Sequence, residues 1–230
     1  MSMDAAAPRT PAGMDDARRA LREGRAVVLP NPAPLTHVVA ATEPRAVNEA
    51  KARPSAQPVA LWAHHAETLR TVTTCAQLGA AGDSLARRLL VEEYLTVLLP
   101  LRGAAHLPAW LAPACKDGWM LLFGARWQPL VPLLDDHPVL YVSSANRTGR
   151  PPAATAAEAL AMFPAAVPVL HLPQPGHDPS HGPARRATTT VALHPDGDLS
   201  LHRHGAQDEA HTSPEDYLAR LLQRYASSRT

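Results

Sequence analysis

A short strand runs into a polar loop at Tyr141-Val142-Ser143-Ser144-Ala145-Asn146-Arg147-Thr148-Gly149-Arg150-Pro151-Pro152, and this passage is the most informative part of the chain. Residues 139–142 have the apolar pattern of a buried strand, and Ser143, Ser144 and Asn146 follow where it ends. In α/β proteins ligands bind beyond the carboxyl ends of strands. Hydroxyl and amide groups hold a phosphate or ribose without adding charge. The passage therefore predicts nucleotide handling, with an ordinary polar turn as the alternative.

Hydrophobic patterning predicts an α/β fold in which a twisted mixed β-sheet is flanked by helices. After the polar loop, Thr155-Ala156-Ala157-Glu158 has the spacing of a capping box, so a helix begins there. Ser213-Pro214 starts another, which runs to about Tyr225. The remaining predicted helices cover residues 15–21, 43–53 and 83–90. The remaining predicted strands cover residues 26–29, 35–41, 59–62, 94–101 and 118–123, and a hairpin of 188–193 with 199–202.

A pair of cations lies upstream of the polar loop, at the end of the predicted helix 43–53, in Lys51-Ala52-Arg53-Pro54. A lysine with an arginine can neutralise several phosphate charges, and arginine can bind phosphate through two parallel hydrogen bonds. We therefore interpret Lys51 and Arg53 as a phosphate site. The alternative is that they only complement the helix dipole, which favours cations at a helix C-terminus.

Length and composition indicate one compact unit with a substantial core: 230 residues, 46% hydrophobic, and a formal net charge of +1. A charge so close to zero argues against a general nucleic-acid coat. The sequence predicts a disordered tail over residues 1–12, a main domain over 13–206 and a helical extension over 207–230, which serves packing or dimerisation. Residues 173–186 lack periodicity and form a candidate lid.

Several other classes of site find no support in the sequence. Cys75 and Cys115 lie far apart, which predicts neither a disulfide framework nor a zinc site, and the 12 histidines lack metal-ligand spacing, so we expect no metal held by protein ligands alone. No Gly-x-Ser-x-Gly or Walker-type loop occurs. No apolar run approaches the ~20 residues of a membrane span, and residues 1–14 lack the apolar core of a signal peptide. We expect a cytoplasmic protein without a membrane partner.

Taken together, these segments resemble the Sua5/YrdC/YciO family, the threonylcarbamoyl-AMP synthases. The family's signature is Lys-x-Arg followed far downstream by Ser-x-Asn, here Lys51, Arg53, Ser144 and Asn146. Thr189-Thr190-Val191 looks like the family's Ser-Thr-Val strand, and Arg203-His204-Gly205-Ala206 looks like its closing Arg-Pro-Gly-Ala. The resemblance runs from about Gly24 to Ala206 and implies a YrdC-like fold.

The resemblance implies an enzyme that condenses L-threonine, bicarbonate and ATP into a carbamoyl adenylate and pyrophosphate for transfer to tRNA. Lys51 and Arg53 would grip phosphate oxygens as catalytic residues, Ser144 and Asn146 would hold the nucleotide, and Thr189 and Arg203 would complete its site. Mg²⁺ would bind mainly through the phosphates. A partner transferase would receive the product. Basic patches such as Arg87-Arg88 and Arg185-Arg186 are either RNA contacts or ordinary surface.

The chain departs from the family pattern where the amino-acid substrate is expected. Asn31, Leu35 and Thr96 match substrate-binding positions, yet the family's Pro-Thr-x-Thr-x-Tyr stretch has become Pro30-Asn31-Pro32-Ala33-Pro34-Leu35. Ala33 cannot replace a hydroxyl, and Leu35 lacks an aromatic face. Gln57 also stands where relatives carry a second lysine, so one phosphate partner is missing.

Two further departures concern charge. The family's Pro-Gly-Pro before a threonine becomes Glu92-Glu93-Tyr94-Leu95-Thr96, and its Val-Arg-x-Pro becomes Leu122-Phe123-Gly124-Ala125. Two added carboxylates and a lost arginine would oppose the carboxylate of threonine, unless Glu92 and Glu93 form a solvated helix end. We therefore predict a synthase whose amine acceptor differs from threonine. The rival hypothesis is an inactive member of the family that binds a nucleotide or double-stranded RNA.

Overall fold

Short apolar segments form a nine-stranded open sheet over the residues that the computed structural model describes, namely 9–103, 107–174 and 184–226. The spatial order is β1-β2-β7-β3-β6-β4-β8-β9, with β5 paired to β6. The β3–β6 and β4–β8 pairs are parallel and the others antiparallel, so the predicted twisted mixed sheet is confirmed. The strands are β1 Val27–Leu29, β2 Val38–Ala41, β3 Ala60–Trp62, β4 Thr96–Pro100, β5 Cys115–Lys116, β6 Trp119–Phe123, β7 Tyr141–Ser144, β8 Thr190–Leu193 and β9 Leu199–Arg203.

Two helix starts follow the capping signals read from the sequence. The Thr155 hydroxyl accepts a hydrogen bond from the amide of Glu158 at 3.1 Å, and the Ser213 hydroxyl accepts one from the amide of Asp216 at 3.1 Å. The helices are α1 Met14–Arg22, α2 Pro44–Ala50, α3 Ala66–Cys75, α4 Ala80–Val91, α5 Val131–Leu134, α6 Ala156–Met162 and α7 Pro214–Ala226. None of these helices has the length and apolarity needed to cross a bilayer.

Side chains that alternate along the strands build one apolar cluster on each face of the sheet. Val28 of β1 joins the larger cluster, which also holds apolar residues of α2, α3, α4, α6 and α7. Its neighbours Val27 and Leu29 join the smaller cluster, against α1 and α5. Helices therefore cover both faces, and the central strands are buried on both sides.

The predicted N-terminal tail is too long. Arg9 donates from its guanidinium to the carbonyl oxygens of Leu160 at 2.7 Å and Val167 at 3.1 Å, and the Ala12 amide donates to Val169 at 2.8 Å. The chain is thus attached to the domain from residue 9, because these donors find partners there, and residues 1–8 lie outside the described residues.

The predicted C-terminal extension is part of the same body over the described residues. Tyr217 and Leu221 of α7 are only 4% and 3% exposed and belong to the larger cluster. Of the predicted lid at 173–186, residues 175–183 lie outside the described part of the chain.

Candidate functional site

Helix α2 ends one residue before the first cation of the Lys-x-Arg motif. Lys51 caps the helix, and Ala52 then adopts the left-handed conformation, with φ of 53°. The predicted helix 43–53 therefore stops at Ala50, and the motif lies in the turn that follows. Arg53 is held there by two bonds to Asn48: its amide donates to the Asn48 carbonyl at 3.1 Å, and its Nε donates to Asn48 Oδ1 at 2.5 Å.

The polar loop after β7 contacts this helix end directly. Lys51 Nζ donates to Asn146 Oδ1 at 2.7 Å and also to the carbonyl oxygen of Ser144. Asn146 Oδ1 accepts a second bond from the Ser144 hydroxyl at 2.6 Å, while its Nδ2 donates to the Arg150 carbonyl at 2.8 Å. The amide is thereby oriented, and the two separate sequence motifs form one hydrogen-bonded cluster.

This cluster opens into a cavity of about 590 Å³. Eight of the nine site residues that the family resemblance implied line it; they are Lys51, Arg53, Ser144, Asn146, Arg203, Asn31, Leu35 and Thr96. Ser143 of the polar loop lines it as well. Sequence reasoning missed several other lining residues, among them Phe123, Thr188, Thr190 and His202.

Positive charge dominates the polar part of the cavity. Lys51, Arg53 and Arg203 all line it, and none of the described lining residues is acidic. Burial, reinforced by Arg53 and Arg203, lowers the pKa of Lys51 from 10.5 to about 7, and burial also lowers the pKa of both arginines. Within the described structure, the Nη2 group of Arg53 is buried without a hydrogen-bond partner. Cations clustered in a lining without a described carboxylate favour an anionic ligand. We call Lys51, Arg53, Arg203, Ser144 and Asn146 the cationic wall.

The prediction that Thr189 contacts a ligand does not fit the geometry. Thr189 is fully buried, and its hydroxyl donates to Asp208 at 2.5 Å instead of reaching the cavity. Its neighbours Thr188 and Thr190 line the cavity, and the Thr188 hydroxyl lies 2.5 Å from that of Thr96. The reason is that side chains alternate between the two faces of an extended chain. The family pattern identified the correct strand, but the residues that face the cavity are one position before and one position after Thr189.

A glycine holds the end of β9 against this threonine segment. A side chain at Gly205 would place its Cβ only 2.2 Å from the Thr189 amide nitrogen, so no larger residue fits there. The Gly205 amide donates to Asp208 at 2.7 Å, and Arg203 Nη2 donates to the Thr188 carbonyl at 3.2 Å. This close contact sets the position of Arg203 in the cationic wall.

The loop after β1 also lines the cavity, through Asn31, Leu35 and Thr36. We call these three residues the loop wall. Asn31 is 1% exposed, and its Nδ2 donates to the Thr36 carbonyl at 2.8 Å. That bond leaves the acceptor atom, Oδ1, without a partner among the described residues. Buried acceptors normally have a donor, so the loop wall favours a ligand that donates a hydrogen bond.

The charge reversal predicted from Glu92 and Glu93 is wrong for this cavity. Neither residue lines it. Glu93 Oε1 instead accepts hydrogen bonds from the Tyr225 hydroxyl at 2.5 Å and from the guanidinium of Arg224, both on α7. Glu92 and Glu93 lie between the end of α4 and the start of β4, and the C-terminal helix supplies the partners of Glu93.

The stretch that replaces the family's Val-Arg-x-Pro serves packing as well as the cavity. Phe123 lines the cavity and stacks edge-on against Trp62, with ring centroids 5.3 Å apart. Gly124 lies against α4, since a Cβ there would come within 2.3 Å of the Leu90 carbonyl oxygen. At this part of the cavity lining, the apolar ring of Phe123 is present and the arginine of the family pattern is absent.

With this mixed sheet and its cation-lined cavity in place, comparison with known proteins identifies the family. The sequence model of the Sua5/YciO/YrdC family, described as telomere recombination, matches residues 19–182. The chain therefore belongs to this family. No match was found among curated protein sequences.

Solved structures of three relatives share the fold at low sequence identity. Pyrococcus abyssi Sua5 complexed with L-threonine has a TM-score of 0.60 at 18% identity, covering 83% of this chain and 53% of its own. Escherichia coli YciO has a TM-score of 0.59 at 15% identity, and the match covers 87% of this chain and 94% of YciO. Full-length HypF in its phosphate- and nucleotide-bound form has a TM-score of 0.60 at 17% identity, and the match covers 87% of this chain and 30% of HypF. The chain thus spans about half the length of the Sua5 structure, and these likenesses establish the fold alone.

Proposed function

We propose that this protein is an ATP-dependent carbamoyl-adenylate synthase, a nucleotidyltransferase that acts on an amine other than threonine. The observation that carries the proposal is the cationic wall, in which Lys51, Arg53 and Arg203 face one cavity without a described carboxylate. Three cations suit the charge of a triphosphate. The contact between Lys51 and Asn146 joins the family's two motifs in one site. A relative of this fold has been described with phosphate and nucleotide bound, which agrees with that interpretation.

The reaction joins three substrates in two bond-forming steps. The neutral amine nitrogen attacks the carbon of bicarbonate, and water leaves to give a carbamate. A carbamate oxygen then attacks the α-phosphorus of ATP, and the bond to pyrophosphate breaks. Bicarbonate is a poor electrophile, so the site must align the reactants and stabilise charge on the phosphates. In our proposal Lys51, Arg53 and Arg203 do so, while Ser144 and Asn146 orient the nucleotide.

The residues present fit Mg²⁺ only as part of a nucleotide complex. No group of three or more His, Cys, Asp or Glu side chains suited to a metal occurs in the described portion of the chain. Mg²⁺ commonly binds through substrate phosphates with few protein ligands. Bound in that way, it would neutralise phosphate charge beside the cationic wall.

The loop wall supports an acceptor different from threonine. Leu35 is 5% exposed and gives this wall an apolar surface, and Ala33 offers no hydroxyl in the same loop. Asn31 Oδ1 is an acceptor that remains open in this wall, because the amide nitrogen of Asn31 is already bonded to Thr36. It would accept a hydrogen bond from the amine of the substrate. The product, a reactive mixed anhydride, would pass to a carbamoyl transferase.

Pyrophosphate release tests the proposal. The purified protein is incubated with ATP, Mg²⁺ and bicarbonate together with each member of a panel of amino acids and simple amines. We expect release that depends on both bicarbonate and amine, with a higher kcat/KM for another amine than for L-threonine. The double variant Lys51→Ala/Arg53→Ala should be inactive, and Lys116→Ala, which removes the other lysine of the chain, should behave as the wild type.

Each alternative result has its own meaning. ATP binding by calorimetry with no pyrophosphate release from any amine would overturn the synthase and favour a nucleotide-binding protein. Preference for L-threonine would leave the synthase standing and overturn the acceptor claim. Binding of double-stranded RNA that persists in the double variant would favour the RNA-binding alternative.

A further inference from the structure

Two side chains that do not line the cavity hold the loop wall in place. Gln174 and Arg185 both lie between α6 and β8, far from residues 31–36 in sequence, and neither lines the cavity. Arg185 Nη1 donates to the carbonyl oxygens of Asn31 at 3.1 Å and Leu35 at 2.8 Å. Its Nη2 donates to Gln174 Oε1 at 2.9 Å. One guanidinium therefore bridges both ends of the loop.

Gln174 completes this arrangement from the other side. Its Nε2 donates to the Asn31 carbonyl at 2.8 Å, and its Oε1 accepts from the Ala33 amide at 3.2 Å. Backbone groups in a loop must find partners when they are removed from water, and here two side chains supply them. We call Arg185 and Gln174 the loop clamp. An arginine suits this role because its planar group donates in several fixed directions at once, which a lysine cannot reproduce.

A separate backbone contact attaches the same loop to the domain. The Arg186 amide donates to the Pro34 carbonyl at 2.9 Å, and the Thr36 amide donates to the Arg186 carbonyl at 2.9 Å. These bonds do not use the Arg185 side chain. Changing the Arg185 side chain should therefore leave the fold intact and alter only the orientation of Asn31 and Leu35 at the cavity.

The cationic wall is positioned by other elements. Lys51 and Arg53 follow α2, Ser144 and Asn146 follow β7, and Arg203 ends β9. Neither member of the loop clamp has a hydrogen bond to any of these residues among the described contacts. The two walls can consequently be perturbed one at a time.

We propose that Arg185 and Gln174 are positioning residues that set the selectivity for the acceptor amine, by fixing the carbonyl and side chain of Asn31 at the cavity. This inference rests on the proposed synthase. It assigns acceptor recognition to a pair of residues outside the cavity and leaves nucleotide affinity to the cationic wall.

The test compares Arg185→Gln, Arg185→Lys and Gln174→Ala with the wild type. For each protein the KM of the best acceptor, kcat and the calorimetric Kd for ATP are measured. Arg185→Gln should misplace Asn31, and the acceptor KM should therefore rise by about tenfold. The differences in kcat/KM among the amines should become smaller. The Kd for ATP should stay within about twofold, and Arg185→Lys should not restore the wild-type KM.

Arg126→Gln provides the matched control, since Arg126 is also half-buried and donates to a backbone carbonyl, that of Ala63 at 2.9 Å. It lies outside the lining of the cavity and should leave the acceptor KM unchanged. An unchanged acceptor KM in Arg185→Gln, or an equal loss of ATP affinity, would overturn the positioning role.

Hydrogen exchange separates this inference from the proposed function. Arg185→Gln should speed exchange in peptides covering residues 31–36 and leave those covering 141–150 unchanged. Unchanged exchange at 31–36 would overturn the loop clamp even in an active enzyme. Faster exchange in a protein whose wild type releases no pyrophosphate would overturn the synthase and its acceptor selectivity, while the contact itself stands.

Discussion

The cationic wall and the loop wall line one cavity, yet they are held in different ways. The cationic wall is anchored by regular elements, since its residues stand at the ends of α2, β7 and β9. Side chains within it bond to one another, as Lys51 does to Asn146. The loop wall belongs to no helix or strand and is held by side-chain hydrogen bonds from Arg185 and Gln174, together with backbone bonds to Arg186. One wall is specified by local motifs and the other by distant partners.

In the proposed synthase, this difference would allow the amine acceptor to change while the nucleotide site is kept. Residues fixed by helix and strand ends are constrained by the core beneath them, whereas a loop held by side chains can change its sequence at small cost to the fold. The cationic wall keeps the family's motif residues Lys51, Arg53, Ser144 and Asn146, whereas Asn31 and Leu35 of the loop wall depart from the family pattern. Two further departures in the cavity lining, Gln57 and Phe123, belong to neither wall. The comparison can be tested by perturbing each wall separately.

The largest effect is expected from Lys51→Ala. Loss of a charged hydrogen-bond donor to phosphate should weaken ATP binding by about 1.5 to 3 kcal/mol, measured by calorimetry. Lys116→Ala serves as the control, because Lys116 is the only other lysine and its side chain is 70% exposed. Equal ATP affinity in the wild type and in Lys51→Ala would mean that the cation serves only the helix end.

A smaller effect is expected from pH. Lys51 has a pKa of about 7 in the free protein, because burial and the neighbouring Arg53 and Arg203 disfavour its charged form. A bound polyanion favours that charged form, so ATP binding takes up a proton and its affinity falls as pH rises through 7. Between about pH 6 and pH 8 the fall attributable to Lys51 should be about tenfold.

Lys51→Arg isolates this contribution, since arginine stays charged throughout the range while the ionisation of ATP affects both proteins alike. The ratio of the two affinities is the quantity to follow with pH. Calorimetry at pH 8 in buffers of different protonation enthalpy should show proton uptake for the wild type in excess of that for Lys51→Arg. Parallel profiles for the two proteins would contradict the assignment.

The smallest effect on the site is expected from Glu93→Gln. Glu93 bonds to Arg224 and Tyr225 rather than to the cavity, so ATP affinity and the acceptor KM should stay within about twofold. Stability should fall by about 1 kcal/mol, a modest value because Arg224 is 62% exposed, and the melting temperature should drop by about 2 to 4 °C.

Glu49→Gln is the matched control for stability. Glu49 pairs with Arg45 on the exposed surface of α2, where such pairs contribute little. If the acceptor KM changes in Glu93→Gln and not in Glu49→Gln, Glu93 contributes to the acceptor site and the prediction is wrong.

Much of the fold followed from the sequence because apolar periods and caps are local signals. Ser213-Pro214 and Thr155 started helices where the structure has α7 and α6. Helix α3 at Ala66–Cys75 was not predicted, since four threonines and a cysteine give it a weak helix propensity, and packing of Leu69 and Val72 on the core decides its state.

The candidate site was predictable in part, for a related reason. The cationic wall could be read from Lys-x-Arg and Ser-x-Asn, but the face presented by Thr188 and Thr190 depends on how β8 pairs with β4, which a motif does not encode. The partners of Glu93 lie 131 and 132 positions further along the chain. Charge counting along the sequence therefore placed its carboxylate in the wrong environment, whereas the contact with α7 settles it.

The position of β8 between β4 and β9 limits how this protein can be shortened. The family match ends at residue 182, yet β8, β9 and α7 all come later in the chain. An expression fragment cut at that point would lose Thr188, Thr190 and Arg203 from the cavity and strip β4 of one neighbour. Exposed apolar surface and an open strand edge would then promote aggregation. Fragments meant for crystallisation or domain exchange should therefore extend through Tyr225.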